Sequence, residues 1–212
     1  DDVSGRHRLL RGVDHGKDQS YVLFGTPADR LGEMILPVGG LPKSRVRELA
    51  EEFDLPVFDK PDSQEICFVP NDDYAGLVAR KSSTGVKPGA IVDTSGDTIG
   101  EHPGHQHFTI GQRRGHGVAG TEPLCVVELH PHSGRVVLGT LAEAGFIGML
   151  VDEPNWIGWD PPSGSFRCEV QWRHLGRTAA CELEASDGAV KVRFEEPQVA
   201  VAAGQGAAFY EG

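Results

Sequence analysis

Cys67 stands at the end of Asp62-Ser63-Gln64-Glu65-Ile66-Cys67, just before Phe68-Val69-Pro70, so a thiol closes a short apolar stretch that a polar turn introduces. Exposed there as a thiolate it would be a nucleophile; buried, it would be a structural cysteine, the commoner fate of a free thiol in a strand. Lys17-Asp18-Gln19 offers a cation, an anion and an amide in succession ahead of the apolar Tyr21-Val22-Leu23-Phe24. That cluster reads either as a polar contact site or as a helix start with Asp18 near the positive end of the dipole. Thr109-Ile110-Gly111-Gln112-Arg113-Arg114-Gly115 sets two guanidinium forks between glycines, a pattern able to grip phosphate or to serve as a solvated turn. Trp172-Arg173-His174, with Arg177 beyond, makes a basic and aromatic patch suited to stacking and phosphate contact, or a surface hairpin tip. His102, His105 and His107 invite a metal reading, but only Glu101 lies beside them and no cysteine does, so no metal site is expected.

The elements that must hold these residues change character along the chain. Up to about Lys81 the apolar spacing is helical. Thr26-Pro27 opens a short helix through Leu31, Met34 and Ile35, and Val46, Leu49, Ala50 and Phe53 form the apolar stripe of an amphipathic helix from about Pro42 to Asp54. Asn71-Asp72 caps a third helix through Tyr74, Leu77 and Val78, and the Cys67 stretch between them reads as a short strand stopped by Pro70. Beyond Lys81-Ser82-Ser83-Thr84-Gly85 the pattern becomes short strands punctuated by glycine. Ser95-Gly96-Asp97, His132-Ser133-Gly134 and Ser186-Asp187-Gly188 each sit between β-prone segments and predict hairpin turns. Strands are expected over 124–129, 135–138, 166–172, 178–183, 190–194 and 207–210, with Pro154, Pro161 and Pro162 marking a boundary before the last four. The fold class is therefore α+β and mostly β: a short helical segment (1–80), a small β-rich central domain (81–145) and a C-terminal β-barrel (146–212).

Composition narrows the function classes. With 31 acidic and 20 basic residues the formal charge is −11, so any nucleic-acid site must be a local basic patch. No apolar run approaches the ~20 residues of a membrane span, and neither insertion nor secretion is expected. Cys67, Cys125, Cys168 and Cys181 have no zinc spacing and are too scattered for a disulfide framework, which fits a reducing cytoplasm; the last three alternate with apolar residues in strands and belong to the core. No phosphate-cradling Gly-rich loop, no Gly-x-Ser-x-Gly elbow and no His-Glu-x-x-His helix occurs in the sequence.

Several stretches together resemble one family. Leu10-Arg11-Gly12-Val13-Asp14, Lys17-Asp18-Gln19-Ser20-Tyr21, Leu36-Pro37-Val38-Gly39, Asp62-Ser63-Gln64-Glu65-Ile66-Cys67-Phe68-Val69-Pro70 and Phe108-Thr109-Ile110-Gly111-Gln112-Arg113-Arg114-Gly115 are similar, in that order, to the tRNA-specific 2-thiouridylases of the MnmA type. The resemblance implies an enzyme that adenylates the wobble uridine of certain tRNAs with ATP and replaces its 2-oxygen by sulfur from a cysteine persulfide. It implies that Cys67 carries the persulfide, loaded by a sulfur-donor protein. It also implies that Lys17, Asp18, Gln19, Arg173, His174 and Gln205 contact tRNA, and that the protein is a cytoplasmic monomer. The family's ATP-pyrophosphatase loop, Ser-Gly-Gly-Val-Asp-Ser, does not occur in the sequence, nor does its other catalytic cysteine with the neighbouring aspartate, so ATP is expected to be bound by an absent N-terminal domain and this chain alone to be inactive. Ala203 stands where proline commonly precedes Gly204-Gln205, which loosens the expected hold on Gln205. A second reading is a stand-alone tRNA-binding or sulfur-carrier module acting with a separate ATP-using subunit.

Overall fold

A computed structural model describes residues 5–61, 74–81, 86–174 and 176–211. The chain divides into two compact units, one built from Asp1–Pro61, Ile147–Glu196 and Gly204–Gly212, the other from Asp62–Phe146 and Pro197–Ala203. Nine strands and few helices make it mostly sheet among the described residues, as the fold class anticipated. No helix among them is long and apolar enough to cross a membrane.

The second unit holds a four-stranded sheet in the order β2-β1-β4-β3. Its strands are β1 (Gly89–Val92), β2 (Thr98–His102), β3 (Leu124–His130) and β4 (Arg135–Thr140). Apolar side chains cover both of its faces. Ile91, Phe108, Val126, Val136 and Leu138 pack on one face, and Val92, Cys125, Val127, Val137 and Ala144 on the other. Because successive side chains of a strand point to opposite faces, a doubly covered sheet needs unbroken apolar runs, and Leu124-Cys125-Val126-Val127 and Val136-Val137-Leu138 are such runs. The hairpin at 95–97 turns at Gly96 (φ +95°) and that at 132–134 at Gly134 (φ +70°), both in the left-handed region where a Cβ is costly. β1 also runs parallel to β4, a pairing between strands far apart in the sequence that no turn signal announces.

The first unit carries a five-stranded sheet, β5-β8-β7-β6-β9. These are β5 (Phe146–Asp152), β6 (Phe166–Gln171), β7 (Ala179–Ser186), β8 (Ala189–Gln198) and β9 (Ala208–Tyr210). Val170, Cys181, Leu183, Val190 and Val192 are fully or almost fully buried, and the Trp172 and Phe194 rings meet at 5.3 Å. Asp187 and Gly188, both at positive φ, close the β7–β8 hairpin where the sequence placed it. β5 lies beside β8 in this sheet, so the proline-rich stretch after it is a connection inside the unit rather than a boundary before the sheet. No pairing between β5 and β9 closes the sheet among the described residues.

The helical segment departs most from expectation. Ala28–Glu33 is a 3-10 turn rather than an α-helix; Pro27 before it has extended backbone, and only Leu31 of the turn is buried while Ile35 is exposed. The amphipathic helix is present as α1 (Lys43–Glu52), yet none of its residues is buried and Phe53 just beyond it is 69% exposed. Its stripe therefore has the period of a core-facing helix without a core against it among the described residues. The third helix is α2 (Tyr74–Lys81), and its anticipated Asn71-Asp72 cap lies outside the described residues, as does the strand around Cys67.

Candidate nucleic-acid interface

The segment 11–24 of the first unit is organised by Asp18. Its carboxylate accepts the N–H groups of Gly12 and Ser20, each at 3.0 Å, and the Ser20 hydroxyl at 2.8 Å. Burial alone would raise the carboxyl's pKa, but these three hydrogen bonds and the nearby Arg11 charge outweigh it and hold the group below the ordinary aspartate range. With the Ser20 proton committed to Asp18, the Tyr210 hydroxyl is the donor in its 3.1 Å contact with Ser20 Oγ, so a relay of hydrogen bonds joins β9 to the Asp18 turn. Arg11 adds a second tie, lying 3.7 Å over the Tyr210 ring and 3.7 Å from the Glu169 carboxylate.

Tyr21 is the centre of the assembly. It is 6% exposed, its hydroxyl donates to the Gly206 carbonyl at 2.9 Å, and its ring lies 6.4 Å from the His174 ring and 6.0 Å from Phe24. Burial, with Tyr210 close by, pushes its pKa up, so it stays a neutral donor. Phe24 in turn presses on Gly206, where a methyl group would overlap its ring. Three stretches remote in sequence, 17–19, 173–174 and 204–206, are thus held within one unit around one phenol.

The side chains that this scaffold presents are polar or basic. Lys17, Gln19, Arg173, His174, Arg177 and Gln205 are exposed. The turn carrying Arg173 is fixed from below: the Arg173 carbonyl accepts the amide of the buried Gln171 at 3.0 Å and the N–H of Gly176 at 3.1 Å. Asp18 differs from the other five anticipated contact residues, because its oxygens are already engaged inside the unit. The residues that sequence reasoning missed are Arg11, Ser20, Tyr21, Gly206 and Tyr210. Each is an unremarkable type in its own stretch, and only pairings between residues 158 to 199 apart give them a role.

Cys67 lies outside the described residues. The other thiols are packed away from reaction. Cys125 is buried and its pKa pushed up by that burial. Cys168 and Cys181 face each other across β6 and β7 with their sulfurs 3.6 Å apart, and the neighbouring thiol together with burial pushes Cys168 well above the ordinary range. The same contact lowers the Cys181 pKa, and it is burial that keeps Cys181 from outside reagents. The His102 ring is buried with Nε2 on the Gly134 carbonyl at 2.8 Å, and no group of three or more His, Cys, Asp or Glu is placed to hold a metal ion among the described residues.

Three family models match successive stretches of the chain: a tRNA methyl transferase HUP domain at residues 2–71, a tRNA methyl transferase PRC-barrel domain at 81–140 and an aminomethyltransferase beta-barrel domain at 147–212. That order defines the class, an architecture in which a HUP domain precedes two β domains. Similar curated proteins include the tRNA-specific 2-thiouridylase MnmA of Carboxydothermus hydrogenoformans, 39% identical over all of this chain and 58% of the relative. Those of Chlorobium chlorochromatii (42% identical, 98% of this chain, 59% of the relative) and Rhizorhabdus wittichii (44%, 99% and 54%) match equally broadly. The chain belongs to the MnmA family of tRNA-specific 2-thiouridylases. It spans a little over half the length of the relatives it matches.

Proposed function

We propose that this chain is the tRNA-holding and sulfur-delivering part of a tRNA-uridine 2-sulfurtransferase that makes 2-thiouridine at the wobble position. The observation that carries the reading is the gathering of Lys17-Asp18-Gln19, Arg173-His174 and the Gly204–Gly206 loop around Tyr21. Exposed cations and amides on a rigid scaffold suit phosphate and base-edge contact, and a histidine ring beside them suits stacking. In this reading Lys17, Gln19, Arg173, His174 and Gln205 touch tRNA, and Asp18 acts by fixing the turn that presents its neighbours.

Cys67 is assigned the persulfide: its thiolate takes the outer sulfur of a donor protein's persulfide, releasing the donor's thiolate. That sulfur attacks C2 of the activated uridine and displaces the adenylated oxygen as AMP, and a second cysteine then attacks the Cys67 sulfur, forming a disulfide and freeing the 2-thiouridine. ATP would activate the uridine oxygen. The expectation that the ATP-binding domain is wholly absent is corrected by the HUP domain match at residues 2–71; the sequence holds no Gly-rich phosphate loop, and no step of that activation is derived from the present residues. The matched models carry the words methyl transferase and the relatives the word thiouridylase. The masses of the modified nucleosides separate the two chemistries.

The test is tRNA thiolation by the full-length enzyme as its own cell makes it, with nucleosides read by mass spectrometry. Cys67→Ser is expected to abolish 2-thiouridine while leaving tRNA binding intact, and Arg173→Ala with His174→Ala to weaken tRNA binding. Unchanged thiolation by the Cys67→Ser enzyme removes Cys67 from the mechanism. A native polypeptide that begins near Asp1 would instead point to a sulfur-carrier module working with a separate ATP-using subunit.

A further inference from the structure

We propose that the loop Thr109–Gly115 of the second unit, with the cleft beside it, is a separate phosphodiester grip for RNA; the inference rests on the reading that this chain binds tRNA. The loop is pinned rather than solvated and loose. Gly111 N–H donates to the Val126 carbonyl at 2.7 Å and Val126 N–H to the Gln112 carbonyl at 3.0 Å, which ties the loop to β3. The Gln112 side chain then staples it internally, its Oε1 accepting Thr109 N–H at 3.0 Å and its Nε2 donating to the Arg114 carbonyl at 2.8 Å. Gly111, at φ +83°, lies so close to Ala200 that a methyl group there would overlap it.

What this clamped backbone displays is Arg113 and Arg114, both exposed. Like Arg135, Arg173 and Arg177, and unlike Arg6, Arg11, Arg30, Arg45 and Arg193, neither Arg113 nor Arg114 has an ion-pair partner among the described residues; what sets these two apart is that they are adjacent on a clamped loop. In a chain with 31 acidic residues against 20 basic ones, two adjacent guanidinium groups left without a carboxylate are able to take an anion. Arg113 lines an open cleft of about 400 Å³ together with His116, Thr121, Glu122 and Leu124. His116 Nδ1 accepts Val118 N–H at 3.3 Å, which places the ring proton on Nε2 as a further donor. Glu122 is the opposing charge. It sits on the cleft wall with one guanidinium group and one imidazole, and the exposed Arg114 next in the loop adds a second guanidinium outside the lining, so the loop as a whole offers more cationic donors than its one carboxylate engages.

The experiment measures tRNA binding by the 212-residue chain across a potassium chloride series, for the wild type, R113A/R114A and R113K/R114K. R113A/R114A is expected to bind about tenfold more weakly at low salt, with the slope of log K against log salt reduced by about one per arginine, while the lysine pair keeps most of the slope. In parallel, bound tRNA is expected to protect Arg113 and Arg114 of the wild-type chain from phenylglyoxal, a readout that needs no variant to fold. Wild-type binding with an unchanged affinity and slope in R113A/R114A, or with both arginines still modified, overturns the grip and leaves the tRNA reading standing. Failure of the wild-type chain to bind tRNA at any salt overturns both.

Discussion

The Tyr21 hydroxyl donates to the carbonyl of Gly206, 185 residues further along the chain, and that bond at 2.9 Å fixes the loop bearing Gln205 relative to the turn bearing Lys17 and Gln19. Tyr21→Phe keeps the ring between His174 and Phe24 and removes only the bond. A single part-buried hydrogen bond contributes about 1 kcal/mol, so the melting temperature is expected to fall by a few degrees. The loss of tRNA affinity should exceed what that small destabilisation explains, because the loop is freed at its anchor. Equal affinity in Tyr21→Phe and wild type would show that the loop position does not matter for binding.

Asp18 links stability to pH in a direction set by its lowered pKa. A carboxylate whose folded pKa lies below its unfolded value contributes stability above the unfolded pKa and loses it as pH falls through the folded one. Asp18→Ala removes the acceptor of Gly12 N–H, Ser20 N–H and the Ser20 hydroxyl, and is expected to cost about 2–3 kcal/mol at pH 7. The difference between variant and wild type should shrink below the ordinary aspartate range. Melting curves at pH 7 and at pH 3 check it, and a constant difference would mean that the charge is not what the turn uses.

The thiols separate by environment. Cys125 and Cys181 are almost completely buried and Cys168 is pushed up by Cys181 and burial, so under native conditions alkylation with iodoacetamide is expected to be slow at all three. Cys168→Ser in the full-length enzyme should leave thiolation unchanged. A large drop in thiolation without loss of folding would bring the β6–β7 pair into the sulfur path.

How much of this was legible beforehand depends on range. The hairpins at Gly96, Gly134 and Asp187-Gly188 were readable because a turn is decided by the few residues that form it. β3 and β4 of the central sheet were readable because burial on both faces demands the unbroken runs at 124–127 and 136–138. The period of α1 was legible too, but not its exposure, since an apolar stripe states which side wants a partner and not whether one is present. At the candidate interface, Lys17, Gln19, Arg173, His174 and Gln205 are exposed, while the inward role of Asp18 does not follow from its spacing. The parallel pairing of β1 with β4 and the Tyr21–Gly206 bond were illegible for one reason: neither leaves a local mark in either partner stretch.

Gly89 offers a test of the central sheet that needs no ligand. It opens β1, and a methyl group there would overlap the Gly134 carbonyl and come within 2.9 Å of His102 Nε2. Neither neighbour can yield cheaply, because the Gly134 carbonyl also holds the His102 ring at 2.8 Å and the ring is buried against Phe108 at 5.1 Å. Gly89→Ala is therefore an overpacking change against backbone, expected to cost about 2–3 kcal/mol and to lower the melting temperature. Gly164, which has open space around its missing Cβ and no positive φ, is the control, and Gly164→Ala should melt with the wild type. Equal melting of the two variants would show that the contact between β1 and the 132–134 turn is slack enough to absorb a methyl group.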